Sequence, residues 1–181
     1  ILINAAGAWC DEVSILAGCK PLDLSPKRRT VVIFENSSNL NTSQWPVVID
    51  IEDNFYFKSE AGNILASPAD ETDSPPCDAQ PEELDIAMTI DRLQNATNFN
   101  IKKINHKWAG LRSFFPDRTP IVGEDPLKSG FYWLAGQGGY GIQTSPGISK
   151  IIECLITGTK WPDYLSDNSI TPETLSPKRK I

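Results

Sequence analysis

The run Gly136-Gln137-Gly138-Gly139-Tyr140-Gly141 constrains this chain more than any other stretch. Four glycines in six residues forgo side-chain packing and lose much backbone entropy on folding, a poor choice unless something must approach the backbone closely. An apolar strand signal at 131–135 leads into it, and Ile148, Ile151, Ile152, Leu155 and Ile156 follow at helical spacing as far as Gly158. Thr144 or Ser145 is placed to cap that helix, with Pro146 in its first turn. The unit is therefore a strand, a glycine turn and a helix. It satisfies G-x-G-x-x-G, the dinucleotide fingerprint, but that fingerprint needs a second strand carrying an acidic residue about 20 residues on. After Gly158 there is only Thr159-Lys160-Trp161-Pro162. What survives is a ligand loop whose amides, at a helix N-terminus, face an anion or an electron-rich ring. A glycine turn used for packing is the competing reading.

A second stretch repeats the form: residues 1–6 read as a buried strand, Gly7 as a turn, and 8–17 as a short helix closed by Gly18. Between the two lie 30–35, 47–51, 55–58 and 64–67, short, rich in β-branched and aromatic residues and separated by Asn, Asp and Gly turns, which predicts an antiparallel sheet. Pro75, Pro76 and Pro81 end it. Residues 82–97 then read as a helix, with Leu84, Ala87, Met88, Ile90 and Leu93 as its apolar stripe and Glu82, Glu83 and Asp85 favouring its dipole. A strand at 101–107, the segment 108–115 and a turn as far as Pro120 come next, and from Trp161 a polar tail held by scattered anchors. The pattern is α/β, mixed.

With 40% hydrophobic and 22% charged residues in 181, the chain is an ordinary globular one, and a net charge of −6 opposes a general nucleic-acid or anionic-membrane surface. No apolar run approaches the roughly 20 residues of a spanning helix. Between residues 50 and 91 stand twelve acidic residues and one basic, read as a solvated face of the sheet and helix, with a basic ligand as the alternative. Cys10, Cys19, Cys77 and Cys154 lack C-x-x-C spacing and His106 is the lone histidine, so no metal set is expected. Cys10 and Cys19 read as apolar filler and His106 as structural, and without G-x-S-x-G there is no support for a serine hydrolase. In Trp108-Ala109-Gly110-Leu111-Arg112 one guanidinium stands among apolar residues, suited to bidentate capture of a carboxylate or equally to a surface salt bridge. The sequons at Asn36, Asn41 and Asn95 are read as coincidence. Met88 is the only methionine and the chain opens on Ile1-Leu2-Ile3, so the expectation is a trimmed start or a piece of something longer.

Taken in order, these segments resemble the carboxyl-terminal half of the FAD-dependent amine oxidoreductases of the D-amino-acid oxidase and glycine oxidase type, and within that family most resemble the bacterial D-arginine dehydrogenases. Asn4-Ala5-Ala6-Gly7-Ala8-Trp9 looks like the late flavin-contacting strand, Pro26-Lys27-Arg28-Arg29 like the crossover into a substrate domain, and Asn54-Phe55-Tyr56-Phe57-Lys58 like a strand over the active site. Asp78-Ala79-Gln80-Pro81-Glu82-Glu83-Leu84-Asp85-Ile86-Ala87, Trp108-Ala109-Gly110-Leu111-Arg112-Ser113, Gln137-Gly138-Gly139-Tyr140-Gly141-Ile142-Gln143-Thr144-Ser145 and Leu175-Ser176-Pro177-Lys178-Arg179 extend the likeness over essentially the whole chain.

The resemblance implies the carboxyl-terminal part of a FAD/NAD(P)-binding domain, 1–25 with 108–181, and an inserted antiparallel-sheet substrate-binding domain, 26–107. It assigns Arg112 to the substrate carboxylate, with Tyr56 donating to it, Arg29 lining the pocket, and the Gly139 carbonyl accepting from the amine. Ala6, Gly7 and Ala8 would line the flavin chain, while Gly138, Gly139, Tyr140, Gly141, Ile142 and Gln143 would wrap the flavin ring edge. No acid–base residue and no metal are implied. The implied reaction is a D-amino-acid dehydrogenation or oxidation at a CH–NH2 or CH–NH group, with a quinone, dye or oxygen as electron acceptor. The same chemistry on glycine, sarcosine or proline, or a non-catalytic module on this scaffold, are the alternatives. The implied location is cytoplasmic or peripheral to the inner membrane. Two departures stand out. Phe115-Pro116-Asp117-Arg118-Thr119-Pro120-Ile121-Val122-Gly123 is nearer the generic glycine and sarcosine oxidase form, and the family's opening strand-turn-helix that grips the FAD pyrophosphate is absent. The chain alone is therefore expected to be inactive and to hold FAD weakly at best, its partner being the missing amino-terminal half.

Overall fold

The computed structural model describes residues 1–36 and 41–179; the Ser37–Ser38 part of the first sequon lies outside them. In chain order the elements are β1 (Leu2–Asn4), a 3-10 turn (Gly7–Trp9), α1 (Cys10–Leu16), β2 (Ser25–Glu35), β3 (Val48–Ile49), β4 (Tyr56–Glu60), β5 (Asn63–Ser67) and β6 (Thr72–Asp73). There follow α2 (Glu83–Ala96), β7 (Ile104–Phe114), β8 (Ile121–Glu124), β9 (Phe131–Ala135), α3 (Gly141–Thr157), α4 (Asp163–Asp167) and α5 (Pro172–Leu175). The chain divides into two compact units, Ile1–Pro26 with Arg112–Ile181, and Lys27–Leu111.

The first unit is built on a three-stranded sheet in the order β1-β9-β8, with β1 parallel to β9 and β8 antiparallel to it. Alternation along β8 and β9 sends Val122 and Tyr132 to one face, where they pack with Ile148, Ile151 and Ile152 of α3. Ile121, Phe131 and Trp133 go to the other, where they meet Cys10 of α1 and Phe115. The sheet is thus covered on both faces, as parallel pairing generally requires. Gly158, at φ +68°, ends α3 as the apolar spacing predicts, its N–H bonded to the Cys154 carbonyl.

The start of α3 differs from expectation: it begins at Gly141, so Pro146 lies inside the helix. Proline there lacks the N–H that would bond the Ile142 carbonyl, and the Ser145 hydroxyl donates to that carbonyl instead, at 2.8 Å. The tail is also better anchored than expected. Leu165 and Leu175 are buried in the α3 core, and Trp161 Nε1 donates to the Ile170 carbonyl at 3.0 Å. Arg179 binds both Asp117 oxygens, at 2.8 and 3.2 Å, together with the carbonyls of Thr119 and Pro120.

The second unit is a six-stranded sheet in which β3-β4-β5-β2-β6 run side by side and β7 also pairs with β2. The four pairings along this row are all antiparallel, with Val32 opposite Ala66, Phe57 opposite Ala66 and Tyr56 opposite Ser67. Val32, Phe34, Phe55, Phe57, Ile64 and Ala66 form one face, against which Ile86 and Leu93 of α2 pack. The segment 101–115, expected in two pieces, is a single long strand from Ile104.

The acidic stretch is only partly solvated. Asp70 and Asp85 are buried, and Thr30 N donates to Asp70 at 2.7 Å while Thr30 Oγ1 reaches both carboxylates, at 3.0 and 3.3 Å. Arg28 bridges Asp85, at 3.0 Å, and Glu82. Burial raises the Asp70 pKa above the ordinary carboxylate value, and the charge on Asp85 adds to this. Among the described residues no helix is long and apolar enough to cross a membrane.

Candidate functional site

Because β1 and β9 are parallel, with Leu2 opposite Phe131 and Asn4 opposite Trp133, their carboxyl ends lie side by side. The Gly7 turn and the 136–141 loop therefore leave the same edge of the sheet. In open α/β sheets that edge is where ligands bind. Gly7 has φ +59° with open space where a side chain would begin, Ala8 is buried, and Ala6 is half-buried. Asn4, a polar residue in an apolar strand run, fixes this turn. It is 1% exposed, its Nδ2 donates to the Cys10 carbonyl at 2.8 Å, and its Oδ1 accepts from Ala6 N. That oddity of pattern was the available signal for Asn4.

The glycines of the second loop are explained locally. A methyl group placed on Gly136 or Gly138 would overlap the rings of Phe115 and Phe114. On Gly139 it would stand 2.8 Å from a terminal nitrogen of Arg112, and on Gly141 2.7 Å from Gln137 Oε1. Gly136 and Gly138 also have φ of +73° and +54°, a region that side chains disfavour. Close approach is thus made by the chain's own residues at the end of β7, and Gly138 N donates to the Ser113 carbonyl at 2.9 Å. Gly139, Tyr140, Ile142 and Gln143 remain exposed, Gly138 and Gly141 half-buried.

Of the four residues expected at the substrate, the structure brings Arg112 to Gly139 in the first unit. In the second it brings Arg29 to Tyr56, the guanidinium 6.0 Å from the ring centre. Arg29 is buried and engaged: its Nε donates to the Asp70 carbonyl at 2.8 Å and a terminal nitrogen to Glu71 at 3.1 Å. Its charge is therefore largely met inside the unit. Tyr56 is half-buried, opposite Ile49 on the edge strand β3.

Two of the thiols, Cys10 and Cys19, are held above their ordinary pKa by burial. Cys10 lies in the core and burial pushes it up to about 11, so it stays protonated, as the filler reading expects. Cys19 is half-buried, Cys77 exposed, and His106 exposed on β7. The arrangement sets a guanidinium beside a glycine peptide at the carboxyl edge of a sheet, chemistry suited to holding a carboxylate.

Known proteins resemble this chain over most of its length. Residues 1–155 match the family model described as DAO, FAD dependent oxidoreductase. The FAD-dependent oxidoreductase domain-containing protein 1 of Xenopus laevis is 29% identical over 178 residues, covering 86% of this chain and 34% of that protein. The chain thus spans about a third of the length of that curated relative. In fold it is similar to L-proline dehydrogenase from P. horikoshii, with TM-score 0.77 and 23% identity over 98% of this chain and 46% of the other. Glycine oxidase from Geobacillus kaustophilus gives TM-score 0.76 and 19% identity over 99% and 45%. A match over most of its length, together with the paired glycine turns at one sheet edge, means that this chain belongs to the FAD dependent oxidoreductase family of the DAO type.

Proposed function

We propose that this chain supplies the substrate-anchoring part of a FAD-dependent amino-acid dehydrogenase or oxidase. The observation that carries the reading is the Arg112 guanidinium against Gly139, beneath the loop that leaves the carboxyl end of β9. A carboxylate held by that guanidinium lies next to the Gly139 peptide, whose carbonyl can accept from the substrate's amine. On the second unit the candidate substrate contacts are Tyr56, with its phenol, and Arg29, which stands 6.0 Å from the Tyr56 ring with its charge met by Glu71. Two anchors on one small molecule fix the direction of its α-hydrogen, and orientation of this kind is the main protein contribution to cofactor chemistry.

The residues fit a flavin: Gly7 leaves open space beside its backbone, and the exposed Gly139 and Tyr140 follow β9 at the same sheet edge. Ala6, Gly7 and Ala8 would hold the FAD chain, and Gly138 to Gln143 the ring edge. When bound, FAD supplies the acceptor for the hydride that leaves the amino acid's α-carbon. The product is an imino acid, which water hydrolyses to a 2-oxo acid and ammonia. The working protein includes an amino-terminal half that grips the FAD pyrophosphate, and this chain alone is inactive.

D-amino acids, and D-arginine within them, are the substrates that the sequence blocks favour. Glycine, sarcosine or proline is the second reading, supported by the names of the two solved folds above and by the 115–123 segment. Anaerobic mixing of the full-length, FAD-loaded polypeptide with a panel of these amino acids tests both. Bleaching of the yellow flavin by at least one is expected, and the one that bleaches fastest names the class. A protein that holds FAD yet is bleached by no D-, N-methyl or cyclic amino acid contradicts the substrate assignment. One that holds no FAD supports a non-catalytic module.

A further inference from the structure

Phe114 is buried, 5% exposed, yet it belongs to none of the three apolar core clusters among the described residues. Its neighbour Phe115 does, facing Cys10, Ile121 and Trp133. Its burial therefore comes from contacts outside those clusters. Two such contacts stand out. The ring occupies the place that a side chain on Gly138 would need, and the Arg118 guanidinium stands 4.7 Å from its centre.

Arg118 has φ +56°, a left-handed conformation that costs a non-glycine residue roughly 1–2 kcal/mol. It closes the turn after β7, with its N–H bonded to the Phe115 carbonyl at 2.9 Å. The same turn carries Asp117 and Thr119, both held by Arg179 of the tail. The end of β7 is therefore a template for the loop. Arg112 meets Gly139, the Ser113 carbonyl binds Gly138 N, Phe114 meets Gly138, and Phe115 meets Gly136.

We propose that Phe114, capped by Arg118, is the positioning residue that sets the place of the Gly138–Gly139 peptide relative to Arg112. The inference rests on the reading of Arg112 as the carboxylate anchor. Without the ring the loop sinks toward β7, and the Gly139 carbonyl moves away from the amine it should meet while Arg112 stays put. The charge of Arg118 makes the ring a stiffer support than packing alone would.

The test uses the full-length, FAD-loaded polypeptide with Phe114→Ala, Phe114→Tyr and Arg118→Ala. Phe114→Ala should raise KM for the amino acid and lower kcat/KM about 10- to 100-fold, the order expected when a positioned group slips by about 1 Å. It should also shift the absorption bands of the resting flavin and speed hydrogen exchange at the Gly138 amide. Phe114→Tyr should restore all three, and Arg118→Ala should move them in the same direction by less. If Phe114→Ala fails to fold, Phe114→Leu and Gly138→Ala, which disturb the same contact from either side, give the same readouts. A lowered melting temperature with unchanged KM, flavin spectrum and Gly138 exchange would mean a merely structural ring and would overturn the proposal. If Arg112→Leu also leaves KM unchanged, it is the anchor reading that fails, whatever Phe114→Ala does to the flavin bands and the amide.

Discussion

Two glycines of one segment illustrate how a single residue's role depends on its surroundings. Gly138 combines φ +54° with the Phe114 ring, whereas Gly147, within α3, has ordinary helical geometry and nothing within 4 Å of an added methyl. Gly138→Ala should therefore cost at least about 1–2 kcal/mol, and Gly147→Ala should add about 0.5–1 kcal/mol. Melting of the full-length protein checks both, and equal shifts in the same direction would contradict the backbone geometry described. Arg179 has a comparable local weight. Its hydrogen bonds hold the Asp117 carboxyl below the ordinary carboxylate value. A lowered folded pKa means that this pair contributes fully above the unfolded pKa and is lost as pH falls through the folded one. Arg179→Ala should cost about 1–2 kcal/mol at neutral pH and flatten the acid limb of a stability profile below pH 4; because Asp117 is partly exposed, added salt should shrink the difference.

Among the elements, β2 and α2 are tied by charge as well as by apolar packing. Asp85 enters α2 beside Arg28 and Thr30 of β2, and removing it leaves the half-buried Arg28 with Glu82 and the more distant Asp70, its Nε lacking a hydrogen-bond partner among the described residues. Asp85→Ala should cost about 1–3 kcal/mol, seen as a fall in denaturation midpoint; a change within about 0.5 kcal/mol would mean that the cluster is solvated. Asp70 has the opposite pH sign to Asp117. Its raised folded pKa means that its charge costs stability above that pKa, and the cost is relieved as pH falls through it.

These elements were legible in sequence to differing degrees, for physical reasons. The strand at 131–135 and the end of α3 are set by local apolar spacing and a C-terminal glycine, so they were read correctly. β8 went unread because four residues containing Gly123 and following Pro120 carry too little signal, and it exists by pairing with β9. β6, two residues long, exists only by pairing with β2. The buried carboxylates could not be foreseen, since Asp70 and Asp85 meet Thr30 across 40 and 55 residues of chain. Arg112 and Gly139 were singled out by their motifs and do lie against each other in the structure, while Phe114 looked like one more apolar residue at a strand end.

For the molecule as a whole, this chain belongs to the FAD dependent oxidoreductase family of the DAO type and covers about a third of the curated relative described above. The central claim is that Arg112 holds a substrate carboxylate. The direct measurement is steady-state kinetics of the full-length, FAD-loaded protein carrying Arg112→Leu, with flavin content determined alongside. Loss of one charge-assisted, bidentate contact should raise KM for the amino acid by roughly 100-fold or more while FAD remains bound. An unchanged KM with intact flavin would contradict the account.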